Sequence, residues 1–107
     1  QREVVIPIIY DGISDFSEGL AWAELKGKYG FINPQNQIVI PIIYGDVNSF
    51  YEGFARVNLN GKWGFINPQN QIVIPVIYDE VDDFYDGLAG VKFKGISGVI
   101  PRTRYTC

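Results

Sequence analysis

Apolar residues fall on every second position of three segments, 20–25, 54–59 and 88–93. Ala21, Ala23 and Leu25 share one side of the first, Ala55, Val57 and Leu59 of the second, and Ala89, Val91 and Phe93 of the third. A period of two over five or six residues predicts half-buried β-strands, since successive side chains of a strand point to opposite faces. The opposite side carries Trp22 and Glu24, then Arg56 and Asn58, then Gly90 and Lys92, which share no chemical type. Packing constrains the first side and leaves the second free to differ, so the second is expected to face outward. Asn60-Gly61 follows the middle strand and predicts a type I′ hairpin, because both central residues of that turn take positive φ. Lys26-Gly27 and Lys94-Gly95 hold the same place. The hairpin leads into a second strand over 63–67, and Asn67-Pro68-Gln69-Asn70 reads as the next turn. A third strand is expected over 37–40 and again over 71–74, ended by Pro41 and Pro75, since proline cannot donate into a sheet ladder. An acidic, aromatic connection such as 78–87 completes the pattern. Val, Ile and aromatic residues broken by Pro and Gly leave no room for a three-turn amphipathic helix, so the fold class is all-β: tandem three-stranded antiparallel meanders.

These elements recur every 34 residues. Between 27–60 and 61–94, 22 of 34 positions are identical, and 30–44 differs from 64–78 only at Ile42 against Val76, so the copies must share one local structure. The register reaches the N-terminus, where Val4-Val5-Ile6-Pro7-Ile8-Ile9-Tyr10 matches 38–44. It decays after Gly95: Ile96-Ser97-Gly98-Val99-Ile100-Pro101 keeps only Gly98 and Ile100 of the motif. A single repeat domain over 1–107 is expected, with units near 4–37, 38–71 and 72–101. Residues 102–107 match nothing and read as a cap or a foreign addition. Gln1 in place of Met points to a chain processed or excised from a longer one.

The Gly-Lys-Trp-Gly-Phe-Ile-Asn stretch at 61–67, the Ile-Val-Ile-Pro that follows it, and the Tyr-Asp…Phe…Gly-Leu-Ala run resemble WG repeats, also called KWG repeats, over residues 4 to about 98. The tryptophan itself stands only at Trp63 and is Tyr29 in the preceding copy. The resemblance implies a repeat module, found mainly in bacterial proteins, that serves binding or scaffolding and brings no catalytic motif. The chain starts with a third-strand equivalent (4–6) and ends after a second-strand equivalent (99–100). Those two are expected to pair, closing a rolled sheet or open barrel and hiding two edges. A β-solenoid fragment is the alternative.

Composition narrows the chemistry. There is no histidine, and the one cysteine is the terminal Cys107, so neither a Ser-His-Asp triad nor a histidine or cysteine metal site can be assembled and no internal disulfide can form. No cofactor is expected. A net charge of −3 without a basic cluster argues against nucleic acid, and the short apolar runs argue against membrane insertion. Carboxylates are plentiful in the connections, at Asp11, Asp15, Glu18, Asp46, Glu52, Asp79, Glu80, Asp82, Asp83 and Asp86. Catalysis by a carboxylate pair needs a dry pocket that raises one pKa, which a solvated acidic loop does not supply. Asp79-Glu80-Val81-Asp82-Asp83 offers oxygen ligands but lacks a calcium-loop signature. The protein is therefore expected not to be an enzyme. Tyr10, Tyr44 and Tyr78, with Phe16, Phe50 and Phe84, keep their places in all three copies and read as structural anchors. The candidate binding residues are Trp22, Glu24, Arg56, Asn58 and Lys92, with Tyr51 and Tyr85 beside them. Protein or peptide recognition on a fixed scaffold with a varied face leads. A carbohydrate or cell-wall module with sugars stacked on Trp22, Tyr51 and Tyr85 is the alternative, and a structural or homo-oligomerisation module is the third.

Overall fold

The computed structural model describes residues 9–102. Among them, eleven strands form three antiparallel sheets that follow one another along the chain. The first is a meander of β1 (Gly12–Ile13), β2 (Ala21–Leu25), β3 (Lys28–Ile32) and β4 (Ile38–Tyr44), in that spatial order. The second repeats it with β5 (Asp46–Val47), β6 (Ala55–Leu59), β7 (Lys62–Ile66) and β8 (Ile72–Tyr78). The third holds β9 (Glu80–Val81), β10 (Leu88–Phe93) and β11 (Ile96–Pro101), ordered β11-β10-β9, and among the described residues it has no counterpart of β4. The fold is the expected tandem antiparallel one, and it is open: no barrel closes among the described residues. The expected pairing of residues 4–6 with 99–100 falls outside them.

The turns form as their residues dictate. Lys26, Asn60 and Lys94 stand at φ of 53°, 57° and 52°, each followed by a positive-φ glycine, as a type I′ hairpin requires. A second such pair, unread in the sequence, sits at Glu18-Gly19, Glu52-Gly53 and Asp86-Gly87, where bridges such as Tyr51 to Phe54 close a tight hairpin before the first long strand. The connections also contribute the two-residue strands β1, β5 and β9, so each complete sheet has four strands rather than three.

Pro41 and Pro75 do not end their strands. β4 and β8 run through them, and the register slips there: Phe31 faces Ile40 and Tyr29 faces Tyr44, so two residues of β3 span four of β4. The proline sits in this bulge, where no ladder donor is needed. The bulged backbone crowds the neighbouring strand. A Cβ on Gly30 would lie 2.5 Å from the Ile40 carbonyl oxygen and 2.7 Å from that of Pro41, and Gly64 meets the same atoms of Ile74 and Pro75 at 2.6 and 2.7 Å. The glycine after Tyr29 or Trp63 is thus required by the proline eleven residues ahead of it.

The sheets stack. Leu20, Phe31, Ile40 and Tyr44 of the first pack against Val47, Phe50, Ala55, Val57 and Ile66 of the second. Phe54, Phe65 and Ile74 of the second pack likewise on Val81, Phe84, Ala89 and Ile100 of the third. Both faces of the middle sheet are therefore covered, and these two clusters lie between sheets; a third, Ala21, Ala23 and Ile32 with Tyr10 against it, lies on the outer face of the first sheet. Phe31, Phe50, Phe65 and Phe84 are its largest fully buried side chains, and Phe31 meets Phe50 edge-on with centroids 4.8 Å apart. Polar clamps add to the stack: the Tyr44 hydroxyl donates to Asn70 (2.9 Å), the Ser17 hydroxyl to the Phe50 carbonyl (2.7 Å), and the Gly53 amide to Glu18 (3.0 Å). Arg102, read from sequence as the start of an unrelated tail, belongs to the array. Its Nε donates to the Glu52 carbonyl at 2.7 Å, and its guanidinium lies 4.9 Å from the Phe54 ring.

Candidate recognition face at the end of the array

Cross-strand register places Trp22 opposite Phe31 and Glu24 opposite Tyr29, so these four side chains share one face of the first sheet. Phe31 is fully buried on that face against the second sheet. The side expected to face outward is therefore the side on which the next unit stacks, and it is half-buried rather than free. Trp22 lies edge-on to Tyr29 with centroids 5.3 Å apart, and both pack against the shared core. Burial, with Glu24 and Asp46 nearby, raises the Tyr29 hydroxyl above its ordinary pKa. In the second sheet Arg56 stands where Trp22 stood. Its guanidinium lies 5.8 Å from the Trp63 ring, and Nη1 donates to the Val81 carbonyl at 2.7 Å. Its Nε is 3.3 Å from Asp83 Oδ1, close enough for an ion pair but out of line for a hydrogen bond. Burial raises the Asp83 pKa; the Arg56 charge opposes this and Asp82 adds to it. Asn48 also donates to Asp83 (3.2 Å). Asn58 is half-buried and accepts the Gly61 amide at the hairpin turn (3.2 Å).

The third sheet differs. Gly90 replaces Trp22 and Arg56, and Ser97 replaces Tyr29 and Trp63, so the ring contact of the first unit and the cation-ring contact of the second have no counterpart. What remains is an open hollow of about 220 Å³ bounded by Glu80, Asp82, Gly90, Lys92, Ser97 and Gly98. Lys92, Glu80 and Ser97 are cross-strand neighbours on one face, which gives the hollow a cation, an anion and a hydroxyl. A Cβ on Gly90 would stand 2.8 Å from an Asp82 carboxylate oxygen, which shows how that side chain leans over the gap. Beside the hollow, Leu88 is 48% and Val99 64% exposed, although their counterparts Leu20, Phe54, Phe31 and Phe65 are buried.

Of the seven candidates, Lys92 alone borders this hollow. Trp22, Glu24, Arg56 and Asn58 lie on the inter-sheet face. Tyr51 and Tyr85 are exposed, at 46% and 72%, one repeat apart at the start of equivalent hairpins, and Trp22 does not extend their row. The hollow was missed because it is made by absences, Gly90 and Ser97, which carry no chemical signal until they are set beside the rings of the earlier copies. Several carboxylates act as backbone acceptors: Asp11 takes the Lys26 amide (2.8 Å), and Asp79 takes the Lys94 amide (2.9 Å) together with the Lys62 ammonium (2.7 Å). Among the described residues no three carboxylate, histidine or cysteine side chains converge as a metal site would need.

A family model described as a WG-containing repeat matches residues 1–29, 29–63 and 63–95. No curated protein and no solved structure matches the chain. With three tandem matches over most of its length, the chain belongs to the WG repeat family.

Proposed function

We propose that this member of the WG repeat family recognises a protein or peptide segment at the open end face of its third sheet, with the stacked units behind it as scaffold. The hollow over Gly90 and Ser97 carries the reading, because the same place is filled within the array by Trp22 with Tyr29 and by Arg56 with Trp63. Exposed Leu88 and Val99 supply apolar contact, and Glu80, Asp82 and Lys92 supply paired charges, the mixture expected of a recognition surface. Filling the gap is the direct test. Peptides selected on the immobilised protein from a random library should shift the amide resonances of 80–82, 90–92 and 97–98. The double variant Gly90→Arg, Ser97→Trp, which installs the pair of the second unit, should keep the fold and lose the peptides. Retention of binding by that variant refutes the reading.

A sugar-binding reading draws on a different observation, the exposed rings of Tyr51 and Tyr85 at equivalent positions. Glycan binding that is lost on Tyr85→Ala, with the end-face resonances undisturbed, would select it.

A further inference from the structure

Among the described residues the outer edge of β11 is unpaired, and it is shaped to receive one more strand. In the two complete sheets the Trp-Gly strand has two neighbours, and β4 or β8 lies along its outer edge. Among the described residues β11 has a neighbour on one side only, β10. Gly98 makes the vacancy specific. Gly30 and Gly64 are buried because the proline bulge of β4 or β8 rests on them, with carbonyl oxygens 2.5–2.7 Å from where a Cβ would sit. Gly98 keeps the glycine, yet it is exposed, and among the described residues a Cβ there would meet nothing within 4 Å. Ile96 and Val99 are exposed along the same strand, at 73% and 64%.

One segment of this chain has the sequence of the missing strand. Residues 4–10, Val-Val-Ile-Pro-Ile-Ile-Tyr, differ from β4, Ile-Val-Ile-Pro-Ile-Ile-Tyr, at the first position alone. Its last residue lies at the opposite end of the array: Tyr10 packs against Ala21, Ala23 and Ile32 of the first sheet, and its hydroxyl reaches Asn36. Six residues fully extended span about 20 Å, short against the 48 Å length of the molecule. The described hydrogen bonds between sheets all join units adjacent in the chain.

We propose that β11 takes residues 4–10 of a second copy as its outer strand, so that molecules join head to tail with the geometry that joins β3 to β4. The proposal rests on the reading of the third sheet as the recognition end, but its site is the outer edge of β11 beside the hollow, which the Gly90→Arg, Ser97→Trp pair would leave open, as β7 with Trp63 still takes β8. Strand addition supplies the ladder hydrogen bonds, and the Ile-Pro-Ile bulge seating on Gly98 supplies the register. Such a contact is heterologous and need not close, so the product is a series of lengths rather than one symmetric dimer.

The experiment is sedimentation velocity of the whole chain over a concentration series, with and without a synthetic peptide of residues 1–12. The mean mass should rise with concentration, and the peptide should bind and shorten the assemblies. Gly98→Val adds bulk where the described residues leave open space but where an incoming bulge would rest. It should leave the unfolding temperature unchanged and weaken peptide binding at least about tenfold. Three results overturn the proposal: a monomer at every concentration with no bound peptide, which is what closure within one molecule would give; self-association that Gly98→Val leaves intact; or library-selected peptides that bind the end face while the 1–12 peptide does not. The last sinks this occupant alone and leaves peptide recognition standing.

Discussion

Gly30 and Gly64 show how one atom sets the sequence of a repeat. With the Ile40 and Pro41 carbonyls 2.5 and 2.7 Å from a built Cβ, alanine at 30 has to push backbone rather than a pliant side chain, and Gly64 is the same. Gly30→Ala and Gly64→Ala should each destabilise the fold by about 1–3 kcal/mol, the usual range for overpacking, and Gly98→Ala should cost almost nothing. Urea midpoints of the three variants check this; equal losses at all three would mean that glycine serves chain flexibility rather than the bulge. The sequence shows that these glycines recur but not why, because the atom they avoid is carried by a strand ten residues on and appears only once the bulge register is known. The same limit governs Trp22 and Arg56. Alternation correctly sets them opposite Ala21 and Ala55. It does not reveal that a second sheet covers that side, because a tryptophan over a tyrosine and an arginine over a tryptophan do not form a recognisable apolar stripe.

Among the elements, hairpins were the most legible and the short connections the least. Asn60-Gly61 announces its turn because asparagine and glycine tolerate positive φ. β5 and β9 give no period to read, since each buries a single valine, Val47 or Val81, within a polar run. The last hairpin carries a cost that its sequence does show: Lys94 occupies the left-handed region at φ 52°, where lysine is disfavoured. Asp79 offsets part of it by accepting the Lys94 amide while bridging to Lys62. The hydrogen bond from Lys62, then its charge and the amides of Lys94 and Gly95, outweigh desolvation and hold the Asp79 pKa below its ordinary 3.8. A carboxyl lowered in the folded state stabilises above its unfolded pKa, and that contribution is lost as pH falls through the folded value. Asp79→Asn should therefore lie below the wild type in melting temperature above about pH 4 and converge with it in stronger acid. Parallel curves across the whole range would show that the charge of Asp79 has no part in holding the turn.

At the scale of the molecule the array is three sheets in series, each meeting only its neighbours in the described contacts, so stability should be a sum of unit and interface contributions. The third sheet is the weak end. It lacks an outer strand among the described residues, exposes Leu88, Ile96 and Val99, and is joined to the second by one core cluster and by polar contacts of Arg102, Arg56 and Asn48. Arg56 is the polar hinge of that joint, because it serves the Val81 carbonyl and the Asp83 carboxylate from the neighbouring sheet. Arg56→Ala leaves both without this partner, and since the pair is partly open to water the loss should be near the low end of about 1–3 kcal/mol. If the units respond separately, hydrogen exchange should speed up across β9, β10 and β11 in that variant while β2 and β3 keep their wild-type protection. Uniform acceleration in all three sheets would instead make the array one cooperative block. In the separate case, a strand bound to the edge of β11 should slow exchange in β10 and β11 without touching β2 and β3. Binding at the end face and the stability of the third unit would then be two readings of the same free energy.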